Sequence, residues 1–229
     1  MNRIKRDWPR AAAAAGLLVL AAAFLLRFSY STSFLWPGYC GYDSAIFQTI
    51  GKYWAEGSVP YRDLFDHKGP LIFFIDMIGY LLWGRAGILV PQTISLAAAL
   101  FFLYKLGRVY LPRPGATGAA LAALVYLART FDEGNMTEEY ALPFIAASLW
   151  LAARWCEEQK RDPAAPHPWR YAAVYGLSFG AILLLRVTSA VSIGSFVLVI
   201  ALYTLARKQW VTLAKNAAAF LGGFAAVTA

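Results

Sequence analysis

Eight apolar segments occupy most of this chain, at about 11–28, 70–84, 88–106, 115–131, 140–155, 171–187, 190–206 and 214–229. Segments of this kind become helices in a bilayer, because lipid offers backbone N–H and C=O groups no partners but each other. Composition agrees. The chain is 59% hydrophobic and only 15% charged, against ~25% charged in soluble domains. The expected fold class is all-α: a polytopic transmembrane helix bundle forming a single module over residues 1–229. The first segment follows Arg3, Lys5, Arg6 and Arg10 and ends in Leu26-Arg27-Phe28 without a small-x-small exit. It therefore reads as an uncleaved first span, not a signal peptide.

The net charge of +8 gathers between the apolar segments, so it marks topology, and no nucleic-acid partner is expected. The clusters are Arg3/Lys5/Arg6/Arg10, Lys105/Arg108/Arg113, Arg154/Lys160/Arg161/Arg170 and Arg207/Lys208/Lys215. If all four are cytoplasmic, an even number of spans separates each neighbouring pair. Three apolar segments lie between the first two clusters, so one of them should not span. Segment 70–84 is the weakest, since ~15 helical residues reach about 22 Å, short of the ~30 Å hydrocarbon layer. It also carries Asp76 and begins at Pro70. The result is about seven spans with the N-terminus inside and an external loop at about 29–87 holding two interfacial helices. The last segment runs to Ala229, as expected of the N-terminal part of a longer protein. Cys40 and Cys156 fall on opposite sides and should stay unpaired, and neither has metal-ligand spacing.

Within the external loop, residues 42–56 have helical periodicity. Tyr42, Ile46, Ile50, Tyr53 and Trp54 share one face, and Ser44, Gln48, Lys52 and Glu56 the other. This suits a helix lying flat at the interface. Asp43 falls in its first turn, where free N–H groups stabilise a carboxylate. It is either a helix cap or a base that takes a proton from an acceptor hydroxyl. After Gly57 the chain is extended and turn-rich up to Asp66-His67-Lys68-Gly69-Pro70. Arg62 and Lys68, with Asp66 and His67 between them, would meet a lipid phosphate as fork and point charge. The second external loop, 132–139, has four acids in eight residues. Thr137 is a candidate N-cap there, and Glu138 or Glu139 a candidate to close the site around Asp43. A divalent cation would suit such carboxylates, although no ligand spacing demands one. Arg186 stands at the outer end of segment 171–187, snorkelling or touching a phosphate. His167, in a cytoplasmic turn, is assigned nothing.

Asp43, the stretch Pro60-Tyr61-Arg62-Asp63-Leu64-Phe65-Asp66-His67-Lys68-Gly69-Pro70 and Thr137-Glu138 together resemble the GT-C glycosyltransferases. The protein O-mannosyltransferase and lipid A aminoarabinose transferase branch looks nearest. The resemblance implies a plasma-membrane enzyme that moves a sugar from a polyprenyl-phosphate donor to an extracytoplasmic acceptor. It implies a carboxylate base at Asp43, a phosphate-contacting cation at Lys68 and two juxtamembrane helices in the first external loop. The acidic pair usual at the base position is here Asp43-Ser44. Two other classes fit the composition. A transporter or flippase would place ionisable groups or broken helices at the bilayer midplane, and an inactive fragment or assembly subunit would have a chain like this one.

Overall fold

A computed structural model of the chain describes residues 2–39 and 41–229, with side chains described from residue 12 onward. The side chains of the first basic cluster, and Cys40, lie outside the described residues; Cys156 is an exposed free thiol. Among the described residues the fold is all-helical. The helices are α1 (Asn2–Phe28), α2 (Asp43–Ala55), α3 (Pro70–Trp83), α4 (Leu89–Tyr110), α5 (Arg113–Thr130), α6 (Thr137–Arg161), α7 (Trp169–Leu185), α8 (Val187–Ala206) and α9 (Trp210–Thr228). Every apolar segment of the sequence is a helix, and so is the amphipathic stretch after Gly41.

Among the described residues, three helical stretches are long and apolar enough to cross a membrane: Pro70–Tyr110, Val187–Ala206 and Trp210–Thr228. Ala12–Phe28 and Trp169–Leu185 are apolar but shorter. The first of the three is not one rod. A 3₁₀ turn (Gly84–Ile88) separates α3 from α4, and Gly84 takes a positive φ of 60° there. A Cβ placed on Gly79 would lie 2.6 Å from Ile88 Cα, and one on Gly87 2.1 Å from Gly79 O. Nine residues of straight helix would separate Gly79 and Ile88 by about 13 Å. The chain therefore doubles back, and α3 and α4 are distinct helices.

Two groups of buried apolar side chains hold the helices. One, around Phe47, Phe73, Tyr140, Ile182 and Ile193, joins α2, α3, α6, α7 and α8. The other, around Leu25, Leu100 and Leu124, joins α1, α4 and α5. In lipid, burial adds no hydrophobic drive between helices, so small residues that permit close approach matter more. α7 and α9 use them: a Cβ on Gly223 would come 2.1 Å from Ala173 O, and one on Gly176 1.9 Å from Phe220 O.

The bundle has two chemically different ends. At one, the C-terminal ends of α4 and α6 bring Lys105 and Arg154 onto Trp150. Tyr203, near the end of α8, bonds Gln159 there. At the other, the end of α1, the starts of α4 and α6, and helices α2 and α3 form a polar layer, and the α7–α8 junction meets it. The three described basic clusters thus share one end, as the charge pattern predicts.

Candidate functional site

Asp43 opens α2, but it does not cap it. Tyr42 is the N-cap residue, and its own side chain makes no capping bond. The Asp43 carboxylate points instead to Lys68, with Oδ2 3.5 Å from Nζ. The two ends of this pair differ in environment: the Lys68 side chain is 9% exposed and Asp43 47%. Lys68 Nζ also lies 6.0 Å from the Phe47 ring centroid, on the next turn of α2. The Lys68 backbone is held on both sides: its N–H donates to Asp66 Oδ1 at 2.9 Å, and its C=O accepts from Tyr61 Oη at 2.6 Å. The structure therefore brings Asp43, Asp66 and Lys68 together across the helix and loop that separate them in sequence. His67 stands beside Asp66, at 3.7 Å, with its side chain 76% exposed.

The next residue ties this loop to the far side of the bundle. Gly69 N–H donates to Leu185 O at 3.2 Å. A Cβ on Gly69 would lie 2.0 Å from Leu184 O, so only glycine lets the loop seat there. Arg186, one residue past Leu185, forms an ion pair with Glu138. Glu138 also accepts a hydrogen bond from Thr137 Oγ1 at 2.8 Å. Two ion pairs, Asp43–Lys68 and Glu138–Arg186, thus flank the Gly69–Leu185 contact. Arg62 is engaged elsewhere. It donates Nε and Nη2 to Asp63, both at 2.8 Å, and Asp63 further accepts Val59 N–H at 2.8 Å. These bonds hold the Asp63 carboxyl down at about 2, the Arg62 bonds contributing most.

The face that α2 turns toward its neighbours is, apart from Ile50, not the one that the sequence reading lays at the membrane interface. Ser44, Phe47, Ile50 and Gly51 are buried, while Tyr42, Ile46 and Tyr53 are uncovered. The polar side is used inside the protein: Gln48 Nε2 donates to Ser31 O at 3.1 Å and to Ser44 Oγ at 2.9 Å. The uncovered apolar side is the one a membrane surface would meet.

Beneath the ion pairs is a buried polar layer, of which sequence reasoning singled out only Glu139, as a candidate to close the site, and Asp76, as a mark against a span. Gln92, on α4, is 2% exposed. It accepts from Thr32 Oγ1 at 2.6 Å and donates to Glu139 Oε2 at 3.0 Å, joining the turn after α1 to the start of α6. Glu139 is committed to that role; its other oxygen accepts Met136 N–H at 2.8 Å. Met136, not Thr137, is therefore the N-cap residue of α6. Glu133 Oε2 accepts Tyr42 N–H at 2.6 Å, tethering the loop before α6 to the start of α2. Asp76 is fully buried, and Asn135 Nδ2 donates to its Oδ2 at 2.9 Å while accepting from Tyr140 Oη at 2.7 Å. The sequence marks Asp76 as a reason to keep α3 near water, yet its carboxylate faces the protein interior. The signals available for these residues were single polar groups within apolar runs, Gln92 and Asp76 above all. Asn135 opens an Asn-x-Thr pattern but is fully buried, which leaves no room for a glycan. His167 is 4% exposed, among Trp155, Tyr171 and Tyr175. Burial lowers its imidazole to about 4, against the opposing effect of Asn216.

Among the described residues no three His, Cys, Asp or Glu side chains converge as a metal ion would need. Glu138 and Glu139 are both taken up by protein partners, and Asp43 by Lys68. The donor set does not fit a divalent cation.

Residues 8–213 match the family model described as "Putative competence-induced protein Ccs4 N-terminal domain". The chain belongs to that family. No curated protein and no solved structure matches it.

Proposed function

We propose that this chain is the membrane module of a glycosyltransferase that uses a polyprenyl-phosphate-linked sugar and acts on an extracytoplasmic acceptor. The observation that carries the reading is the Asp43–Lys68 pair, a half-exposed carboxylate held 3.5 Å from a nearly buried ammonium. Lys68 is fixed by its backbone and by Phe47 and has little freedom to follow a ligand. Asp43 stands on an open helix start.

The chemistry follows from that asymmetry. A donor phosphate competes with Asp43 for the Lys68 ammonium. Its arrival releases the Asp43 carboxylate beside the sugar. Asp43 then accepts the proton of the acceptor hydroxyl as that oxygen bonds the anomeric carbon. The bond from the anomeric carbon to the phosphate oxygen breaks with inversion, and the polyprenyl phosphate leaves with its new charge against Lys68. Arg186 is a second cation near the same loop, available to phosphate to the extent that Glu138 releases it. Arg62, paired with Asp63, serves the shape of the loop in this state.

In this reading the chain has about seven spans, α2 and α3 lie at the outer surface of the plasma membrane, and the basic end is cytoplasmic. The parity of the basic clusters supports it, and so do the uncovered aromatic side of α2 and the doubling back after α3. The family description speaks of induction with competence and leaves the chemistry open. The test is sugar transfer from a polyprenyl-phosphate donor by membranes containing the full-length protein. Asp43→Asn and Lys68→Ala are each expected to lower the rate by about 100-fold or more at unchanged expression. Retained transfer in either variant sinks the assignment.

A further inference from the structure

The basic end carries a second concave site, far from the first. Between the C-terminal ends of α4 and α6 lies a cleft of about 760 Å³. Its cations are Lys105, Arg108, Arg154 and Arg161. Its acids are Glu157, Glu158 and Asp162. Topology alone accounts for basic residues at this end, but not for their arrangement. Lys105, from α4, and Arg154, from α6, converge on one indole, with Nζ 5.2 Å and Cζ 5.4 Å from the Trp150 ring centroid. Two like charges brought onto one ring repel each other unless an anion joins them.

The acids of the cleft do not supply that anion. Glu157 is taken by Lys160, at 2.5 Å, and Asp162 Oδ1 accepts Ala164 N–H at 3.0 Å. Glu158 is exposed. Among the described residues no carboxylate lies within ion-pair distance of Lys105, Arg108, Arg154 or Arg161. Counting Lys160, five cations face three acids around the cleft.

The wall below is apolar and aromatic. Trp150 meets Phe102 at 5.8 Å, Phe102 meets Phe101 at 5.2 Å, and Phe101 is exposed. A cationic mouth above an aromatic strip, at the end of two membrane helices, is the shape of a headgroup joined to acyl chains. We propose that this cleft binds an anionic phospholipid, its phosphate between Lys105 and Arg154 and an acyl chain along Trp150, Phe102 and Phe101. Arg108 and Arg161 add charge at the rim. The site is independent of the outer-end chemistry and stands whether or not the chain transfers a sugar.

The test uses the full chain, purified in mild detergent and examined by native mass spectrometry after exchange with mixed phosphatidylglycerol and phosphatidylethanolamine. Preferential retention of phosphatidylglycerol is expected. Lys105→Gln/Arg154→Gln should reduce that retention about tenfold or more, since each surface cation contributes roughly fivefold to anionic-lipid binding. Arg207→Gln/Lys208→Gln makes the same charge change at the same end outside the cleft and should leave retention unchanged. Equal retention of the two lipids by the wild-type protein would overturn the proposal without reference to any variant. Equal loss in both double variants would overturn it too, by reducing the site to overall charge. Displacement of the lipid by millimolar inorganic phosphate would show a free-phosphate site instead.

Discussion

Arg62 and Asp63 are neighbours in sequence and partners in space, through two bonds of 2.8 Å. With Val59 N–H they draw the Asp63 carboxyl from 3.8 down to about 2. A depressed folded-state value means that the contribution to loop stability is complete above about 3.8 and lost as pH falls through about 2. Both side chains are open to water, so the effect is local. Carboxyl NMR of Asp63 should show a midpoint near 2, moving toward 3.8 in Arg62→Ala. An unchanged midpoint in that variant would show that the backbone bond from Val59 sets the value. Lys68 illustrates the opposite arrangement: its partner Asp43 is 43 to 68 in sequence, far outside local reach, and the pair exists only because α2 and the 61–69 loop pack together.

Among the elements, α7 and α9 depend most on absent side chains. Gly223 meets Ala173 O, whereas Gly222 meets nothing within 4 Å. Gly223→Leu should force the helices apart and cost about 1–3 kcal/mol or more, by analogy with overpacked cores. Gly222→Leu, facing outward, should be near neutral. Thermal unfolding in detergent distinguishes the two, and equal Tm values would refute the close contact. The pair Gly222-Gly223 is visible in the sequence as a small-residue motif, but which glycine faces α7 is set by the rotation of α9 about its axis. The same holds for α2. Its helical period is plain from residues 42–56, and yet its buried side is Ser44, Phe47, Ile50 and Gly51. Phe47 and Gly51 face α3, where a Cβ on Gly51 would lie 2.6 Å from Asp76 Cβ.

For the whole molecule, the proposed topology puts the α3–α4 bend on the outer side of the membrane. Trp83, 81% exposed, marks it. Gly87, at the same bend, is too tightly packed against Gly79 to carry a reporter. In a background lacking both native cysteines, Trp83→Cys and Glu56→Cys should react with an impermeant maleimide from outside in intact cells. Ala164→Cys, in the turn before α7, should react only after lysis. Labelling of Trp83→Cys only after lysis would make α3 a span and reverse the parity of every helix after it.

The helices, their order and the gathering of basic residues at one end were all legible in the sequence. Apolar run length, Pro and Gly boundaries and charge spacing are local properties, and lipid allows few ways to satisfy a backbone. Asp43 and Lys68 stood out because charge is costly beside so much apolar sequence. Their pairing was not legible, nor was the commitment of Glu139 to Gln92, of Glu138 to Arg186 or of Asp76 to Asn135. Each of those links joins residues from different parts of the chain, helix to helix or helix to loop. Which one forms depends on the rotation and depth of each helix against its neighbours. That is decided by packing at contacts such as Gly69 on Leu184 and Gly79 on Ile88, which no single stretch of sequence contains.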